Sequence, residues 1–277
     1  MDIQAEVAKL QGAYLESAQQ QKLNIMLTGE SGTGKTFLAA TCPKPVHIDS
    51  FDPGGSKGLI EEIQRGEIVV DSRYELEDPM RPTAFTDWKR ETEARIKGGY
   101  FDQFSTYMLD SSTMFASAIM NDILRKAGMP GQAPRFTHDY VPQKIEIQNW
   151  LKKILMLPCH VIVTGHLEMY EDAVEKTVKF RYMTTGKGAI TLPLLFDEQW
   201  VMVPKKSSDG VEYRILTKST GTYSARSRLA RAGLLEQYEN VTFRPGKTAE
   251  LIGFKAILKK AGKSYEDKPL FKMGGAS

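Results

Sequence analysis

Hydrophobic positions recur along this chain in two periods, and the switches between them outline its elements. Ile3, Val7, Leu10 and Tyr14 fall at three- and four-residue steps, which predicts an amphipathic helix with Asp2 near its start. Its stripe must be buried on the chain's own core or on a neighbouring subunit, and own-core packing is the simpler expectation. Short apolar runs at 23–27, 45–49, 67–70, 107–110 and 160–164 predict buried strands. Between them, helical spacing links Phe85, Trp88, Thr92 and Ile96 ahead of Gly98-Gly99, then Phe115, Ile119, Ile123 and Leu124. Residues 128–135 are too rich in glycine and proline for regular structure. A further helix starts near Asp139, with Pro142 in its first turn and Ile145, Leu151, Ile154 and Leu155 facing inward. Strand, helix, strand in this order predicts an α/β fold with a mainly parallel, doubly wound sheet flanked by helices. The period becomes two at 174–183, where Val178, Phe180 and Tyr182 oppose Lys179 and Arg181. Strands near 199–203 and 213–217 then predict an antiparallel extension. A basic amphipathic helix is expected at 251–261. The organisation expected is an N-terminal helix (1–21), a core (22–235) and a basic C-terminal appendage (236–277).

The chemistry concentrates at Gly29-Glu30-Ser31-Gly32-Thr33-Gly34-Lys35-Thr36, which matches G-x-x-x-x-G-K-[ST] and follows the strand at 23–27. Glycines at 29, 32 and 34 allow a tight turn whose N–H groups converge on a di- or triphosphate, with a helix start expected at 37–40. Lys35 would reach the β- and γ-phosphates, and the Thr36 hydroxyl would join the shell of Mg²⁺. Downstream, the strand at 107–110 ends in Asp110. An acid there delivers a carboxylate to the metal shell, usually through water, although it can also cap the Ser-Ser-Thr turn that follows. Asp49 and Asp52 belong to the strand end where α/β sheets bind ligands. Position 111 is serine, whereas the AAA+ class normally carries glutamate there, which argues against that class.

Composition narrows the field without naming a substrate. At 277 residues, 41% hydrophobic and 26% charged, the chain suffices for one large α/β domain with an appendage. No apolar run has the length of a membrane span and the N-terminus lacks a signal-peptide core, so no membrane partner and a cytoplasmic location are expected. Cys42 and Cys159 lack C-x-x-C spacing and read as small core residues, and the four histidines lack zinc-site spacing. A net charge of +3 is too small to indicate nucleic acid by itself, but from Asn240 onward eight lysines and arginines face three acids.

The P-loop, the strand ending Leu109-Asp110-Ser111, and Val161-Ile162-Val163-Thr164-Gly165-His166 together resemble the RecA-like ATPases. Residues 22–235 more closely resemble compact phage-encoded RecA-like ATP-binding proteins, some of which are single-strand annealing recombinases. Gly186-Lys187-Gly188, Phe196-Asp197 and Ser224-Ala225-Arg226-Ser227-Arg228 add to the likeness. The resemblance implies ATP with Mg²⁺, hydrolysis by water attack on the γ-phosphate, a ring or filament of identical subunits, and single-stranded DNA as partner in a phage-infected bacterial host. In that family a glutamate after the second core strand activates the water. Here Asp52 is the substitute, and it reads equally as the start of the Pro53-Gly54 turn. His166 takes the place of a γ-phosphate sensor, or is simply satisfied at the sheet's end. Lys187, Arg226 and Arg228 are candidates for a cation donated across a subunit interface. For DNA the resemblance points to Arg125, Lys126, Arg135 and Phe136, and to Lys176, Lys179, Arg181 and Lys187 with Tyr170, Phe180 and Tyr182. The alternation of Phe180 and Tyr182 also fits ordinary strand core.

Two other readings compete. One is a nucleotide-gated assembly protein with slow or absent hydrolysis and no direct DNA role. The other, less suited to the basic tail and the antiparallel extension, is a P-loop kinase.

Overall fold

The structure, a computed structural model, describes residues 1–172, 175–184, 188–208, 210–243 and 252–271. Its strands are β1 (Asn24–Gly29), β2 (Val46–Ser50), β3 (Ile68–Asp71), β4 (Thr106–Asp110), β5 (His160–Glu171) and β6 (Val178–Tyr182). There follow β7 (Glu198–Met202), β8 (Lys205–Ser207), β9 (Gly210–Glu212), β10 (Arg214–Leu216) and β11 (Tyr238–Asn240). Helices α1 (Ile3–Glu16), α2 (Ala18–Gln21), α3 (Ile60–Gln64) and α4 (Ala84–Lys97) lie in the first half. Then come α5 (Ser112–Lys126), α6 (Tyr140–Ile154), α7 (Gly188–Thr191), α8 (Arg228–Arg231) and α9 (Gly253–Lys260).

The main sheet runs β11-β10-β7-β1-β5-β4-β2-β3, with β6 on the outer part of β5. From β7 to β3 every pairing is parallel. β7 therefore belongs to the parallel core, and the antiparallel extension begins only at β10. Alternating side chains of the buried strands feed two cores. Met26, Val161 and Val163 join Trp88, Phe115 and Trp150 from α4, α5 and α6 on one face. Ile25, Leu27 and Ile162 join Phe254, Ile257 and Leu258 of α9 on the other. The basic tail thus carries an apolar face that covers the sheet behind the P-loop, and Gly253, with φ of 63°, lies where a Cβ would come within 2.3 Å of Thr41. Lys255, in the same helix, pairs with Asp267 at 2.7 Å.

Several expectations change at this level. Helix α1 forms with Asp2 accepting from the N–H groups of Gln4 and Ala5, but Ile3, Val7, Leu10 and Tyr14 are all exposed, so it does not pack on its own core. The segment after the P-loop is one short 3-10 helix, Thr36–Thr41, rather than an α-helix. Ile96 and Ile145, expected to face inward, are exposed. Asp49 is buried away from solvent, accepting from Trp88 Nε1 (2.7 Å), Tyr107 Oη (2.8 Å) and Arg95 Nη1 (3.2 Å), with His47 Nε2 at 2.9 Å. Burial pushes its carboxyl up, but the bond with His47 and the Arg95 charge outweigh burial and hold it below the usual carboxylate range. It stitches β2 to α4 and β4 instead of facing a ligand.

Candidate functional site

Strand β1 lies between β5 and β7, and the chain leaves its C-terminal end into the P-loop. This is where strand order reverses and where open α/β sheets leave a crevice. Gly32 and Gly34 have φ of 74° and 89°, in the left-handed region that glycine enters without strain. A Cβ on Gly34 would also come within 3.0 Å of the Tyr213 ring. Lys35 is buried, and its ammonium donates to the carbonyls of Gly29 (3.0 Å) and Glu30 (2.8 Å). Burial lowers its pKa, opposed by the nearby charges of Asp110, Asp52 and Glu30.

The metal candidates meet directly. Thr36 Oγ1 donates to Asp110 Oδ2 at 2.6 Å, and Thr164 donates to the other carboxylate oxygen. Burial pushes Asp110 above the ordinary carboxylate range; the two threonine hydroxyls work against that, while the Asp52 charge adds to it. An adjacent divalent cation would favour the ionised form. Hydroxyl and carboxylate oxygens are hard donors suited to Mg²⁺, which keeps much of its water and takes only one or two carboxylates. Gly55 closes this corner: a Cβ there would stand 3.1 Å from Asp110 Oδ2 and 3.6 Å from Thr36 Oγ1. Glycine-lined N–H groups, a buried ammonium and an oxygen-only pair fit a magnesium nucleotide.

Asp52 and His166 are brought together. His166 Nε2 lies 2.7 Å from Asp52 Oδ2, Ser111 donates to Oδ1, and the Asp52 N–H donates to the Asp110 carbonyl at 3.1 Å. Burial pushes Asp52 up, yet the bonds from His166 and Ser111 and the charges of His166 and Lys35 prevail and lower its pKa. The backbone N–H of His166 donates to Thr113 Oγ1 at 3.0 Å. Lys35, Thr36, Asp52, Asp110 and His166, drawn from four separate segments, therefore form one cluster. Sequence reasoning missed Ser111, Thr164, Thr113 and Gly55; the one usable signal was polar residues ending apolar strands, at Asp110-Ser111 and Thr164.

The other cations find different partners. Arg226 Nη2 donates to the carbonyls of Pro193 and Phe196, both at 3.0 Å, and Arg228 pairs with Asp197 at 3.3 Å on the surface. Lys187 lies outside the described residues. Of the nucleic-acid candidates, Arg125 and Lys126 both pair with Asp122, Arg135 with Asp139, Lys179 with Asp172 and Glu175, and Arg181 with Glu168. Tyr182 is buried core, as strand alternation allowed, whereas Phe180 stacks on Tyr223 and Phe136 stands exposed. Tyr170, Phe180, Tyr223 and Arg226 line a cavity of about 560 Å³. The Tyr223 hydroxyl, 3.5 Å from Glu30 Oε2, connects that cavity to the P-loop.

Topology and site together define a RecA-like P-loop nucleoside triphosphatase fold. The chain belongs to the family AAA_24, described as an AAA domain, which matches residues 21–229. Serine at 111, which weighed against the AAA+ class, thus stands in a chain whose family carries the AAA name, so that position alone does not decide class. Among solved structures it is similar to a KaiC-like protein of the hyperthermophilic archaeon Pyrococcus horikoshii, at 13% identity over 80% of this chain and 86% of that one, with a TM-score of 0.43. It is also similar to the flagellar accessory protein FlaH of Methanocaldococcus jannaschii, at 12% identity over the same shares, with a TM-score of 0.44. No curated protein matches. No helix among the described residues is long and apolar enough to cross a membrane.

Proposed function

We propose that this chain is a Mg²⁺-dependent ATPase in which Asp52, held by His166 and Ser111, orients the water that attacks the γ-phosphate. The observation that carries this reading is the 2.7 Å contact between Asp52 and His166 beside the Thr36–Asp110 pair. Lys35 exchanges two neutral carbonyl acceptors for phosphate oxygens, a gain because hydrogen bonds between charged partners are the stronger kind. Thr36 and Asp110 hold Mg²⁺, which neutralises charge on the phosphates. A carboxylate with lowered pKa is a weak Brønsted base. It suits a loose phosphoryl-transfer transition state, where positioning the water matters more than taking its proton early.

The partner expected from the resemblance is single-stranded DNA, in phage recombination or replication in the host cytoplasm. It is supported by the aromatic wall of the cavity next to Glu30, since bases stack on such faces. The pairing of the nearby cations with acids weighs against a strongly electrostatic grip. Self-assembly into a ring or filament is supported by the exposed stripe of α1, and this observation favours the nucleotide-gated assembly protein as a second reading. Lys187, Arg226 and Arg228 keep their proposed role as cations offered across such an interface.

Steady-state ATP hydrolysis by the wild type and Lys35→Ala, with and without single-stranded DNA, tests these readings. Hydrolysis stimulated by DNA and lost in the variant is the result expected. Hydrolysis indifferent to DNA removes the DNA part, and none at all in the wild type leaves the assembly reading.

A further inference from the structure

The loop that carries Asp52 is also held by a residue outside every motif. The Glu75 carboxylate accepts from Ser50 Oγ at 2.8 Å through Oε1, and from the Gly54 N–H at 2.9 Å through Oε2. Ser50 is the last residue of β2, and Gly54 lies just past Asp52 with φ of 72°. One carboxylate therefore bridges the start and the end of the turn on which Asp52 sits. Its own segment is anchored: Tyr74 is buried and stacks on Phe51 with ring centroids 5.3 Å apart, and Tyr74 Oη donates to Asp71 at 2.9 Å. Glu75 N–H also donates to the Ser72 carbonyl at 3.3 Å, closing a turn directly after β3.

We propose that Glu75 is a positioning residue for hydrolysis, fixing the 50–54 turn so that the Asp52 carboxylate faces the Thr36–Asp110 corner. The inference rests on the ATPase reading above. Bonds from Ser111 and His166 fix the tip of the Asp52 side chain, but they do not hold its backbone. Asp52 N–H and Phe51 N–H donate to the Asp110 carbonyl, and Glu75 adds a hold on Ser50 and Gly54 at the two ends of the turn. A shift of about 1 Å in a group that orients a nucleophile costs on the order of 100-fold in rate. A glutamate thus serves this neighbourhood after all, reaching it from the turn after the third strand rather than from the end of the second.

The bonding pattern supplies its own control. In Glu75→Gln the amide oxygen can still accept from Gly54 N–H, and the amide nitrogen can donate to Ser50 Oγ, whose hydroxyl accepts as well as donates. The test is steady-state ATP hydrolysis and ATP affinity for wild type, Glu75→Ala, Glu75→Gln and Asp52→Asn. Glu75→Ala is expected to lower kcat by about 10- to 100-fold with KM for ATP within about twofold of wild type. Glu75→Gln is expected to recover most of that loss. Full kcat in Glu75→Ala overturns the proposal. So does Glu75→Gln falling to the level of Asp52→Asn, which would make Glu75 itself the water-directing carboxylate. Should Glu75→Ala not fold, Ser50→Ala, which removes one of the two bonds, stands in for it: lowered kcat at unchanged KM supports the proposal, and full kcat overturns it. Asp52→Asn reports separately on the underlying reading, because undiminished hydrolysis there removes Asp52 from the mechanism whatever Glu75 does.

Discussion

At the scale of single residues, the site depends on how neighbours set the protonation of two adjoining acids, Asp52 and Asp110. Asp110 is pushed up by burial and Asp52 is brought down by its hydrogen bonds, so the two share a site with opposite tendencies. For Asp52 the sign is clear: the His166 bond stabilises the ionised carboxylate, so removing it raises the pKa. With saturating Mg²⁺ favouring ionised Asp110, Asp52 of the wild type is expected to stay ionised as pH falls into the ordinary carboxylate range, and His166→Ala to lose rate at a higher pH than wild type. A pH–rate profile of both proteins checks this. In parallel, Asp52→Asn is expected to lower kcat by about 10²- to 10³-fold with little change in KM, as when an interaction made mainly in the transition state is removed.

At the scale of elements, the short helix after the P-loop is fastened from behind by α9. Phe254 N–H donates to Thr41 Oγ1 at 3.0 Å, and the positive φ of Gly253 lets the backbone approach that close. Gly253→Ala places a Cβ against Thr41 in a conformation that L-residues avoid, and should cost about 1–3 kcal/mol. Chemical denaturation of the two proteins measures it, as a lower midpoint at unchanged slope. Helix α1 is the opposite case. None of its residues is buried, so deleting residues 1–16 should change stability by no more than about 0.5 kcal/mol. The α2 contacts, Lys263 Nζ to the Gln20 carbonyl at 2.6 Å and Ser264 N–H to Gln21, remain in that truncation.

At the scale of the whole molecule, the same truncation tests assembly. If the α1 stripe is covered by a second copy, ATP increases the mass seen by light scattering for the full chain and not for the truncated one. Equal mass with and without nucleotide in the full chain removes the nucleotide-gated assembly reading. The division of labour within the fold follows the sheet: β1, β2 and β4 deliver the catalytic candidates at or just past their C-terminal ends and β5 delivers His166 where its pairing with β1 ends, while β6, β7 and β10 contribute to the cavity and the extension.

The sequence alone determined the P-loop, the five buried parallel strands and the acid at the end of β4, because glycine spacing, apolar runs and strand-terminal polar residues are local signals. It also singled out Asp52 and His166 as candidates, yet left each with a bland alternative, since two residues separated by more than a hundred positions show no sign of contact along a chain. Only the tertiary structure decided that they touch, that Ser111 and Thr164 complete the two carboxylates, and that Asp49 is structural. It alone put β7 in the parallel core and left α1 uncovered. The reason is physical: periodicity reports which face of an element is apolar, whereas sheet order and packing decide what that face meets. Glu75 shows the same limit, its role lying wholly in two hydrogen bonds to residues more than twenty positions away.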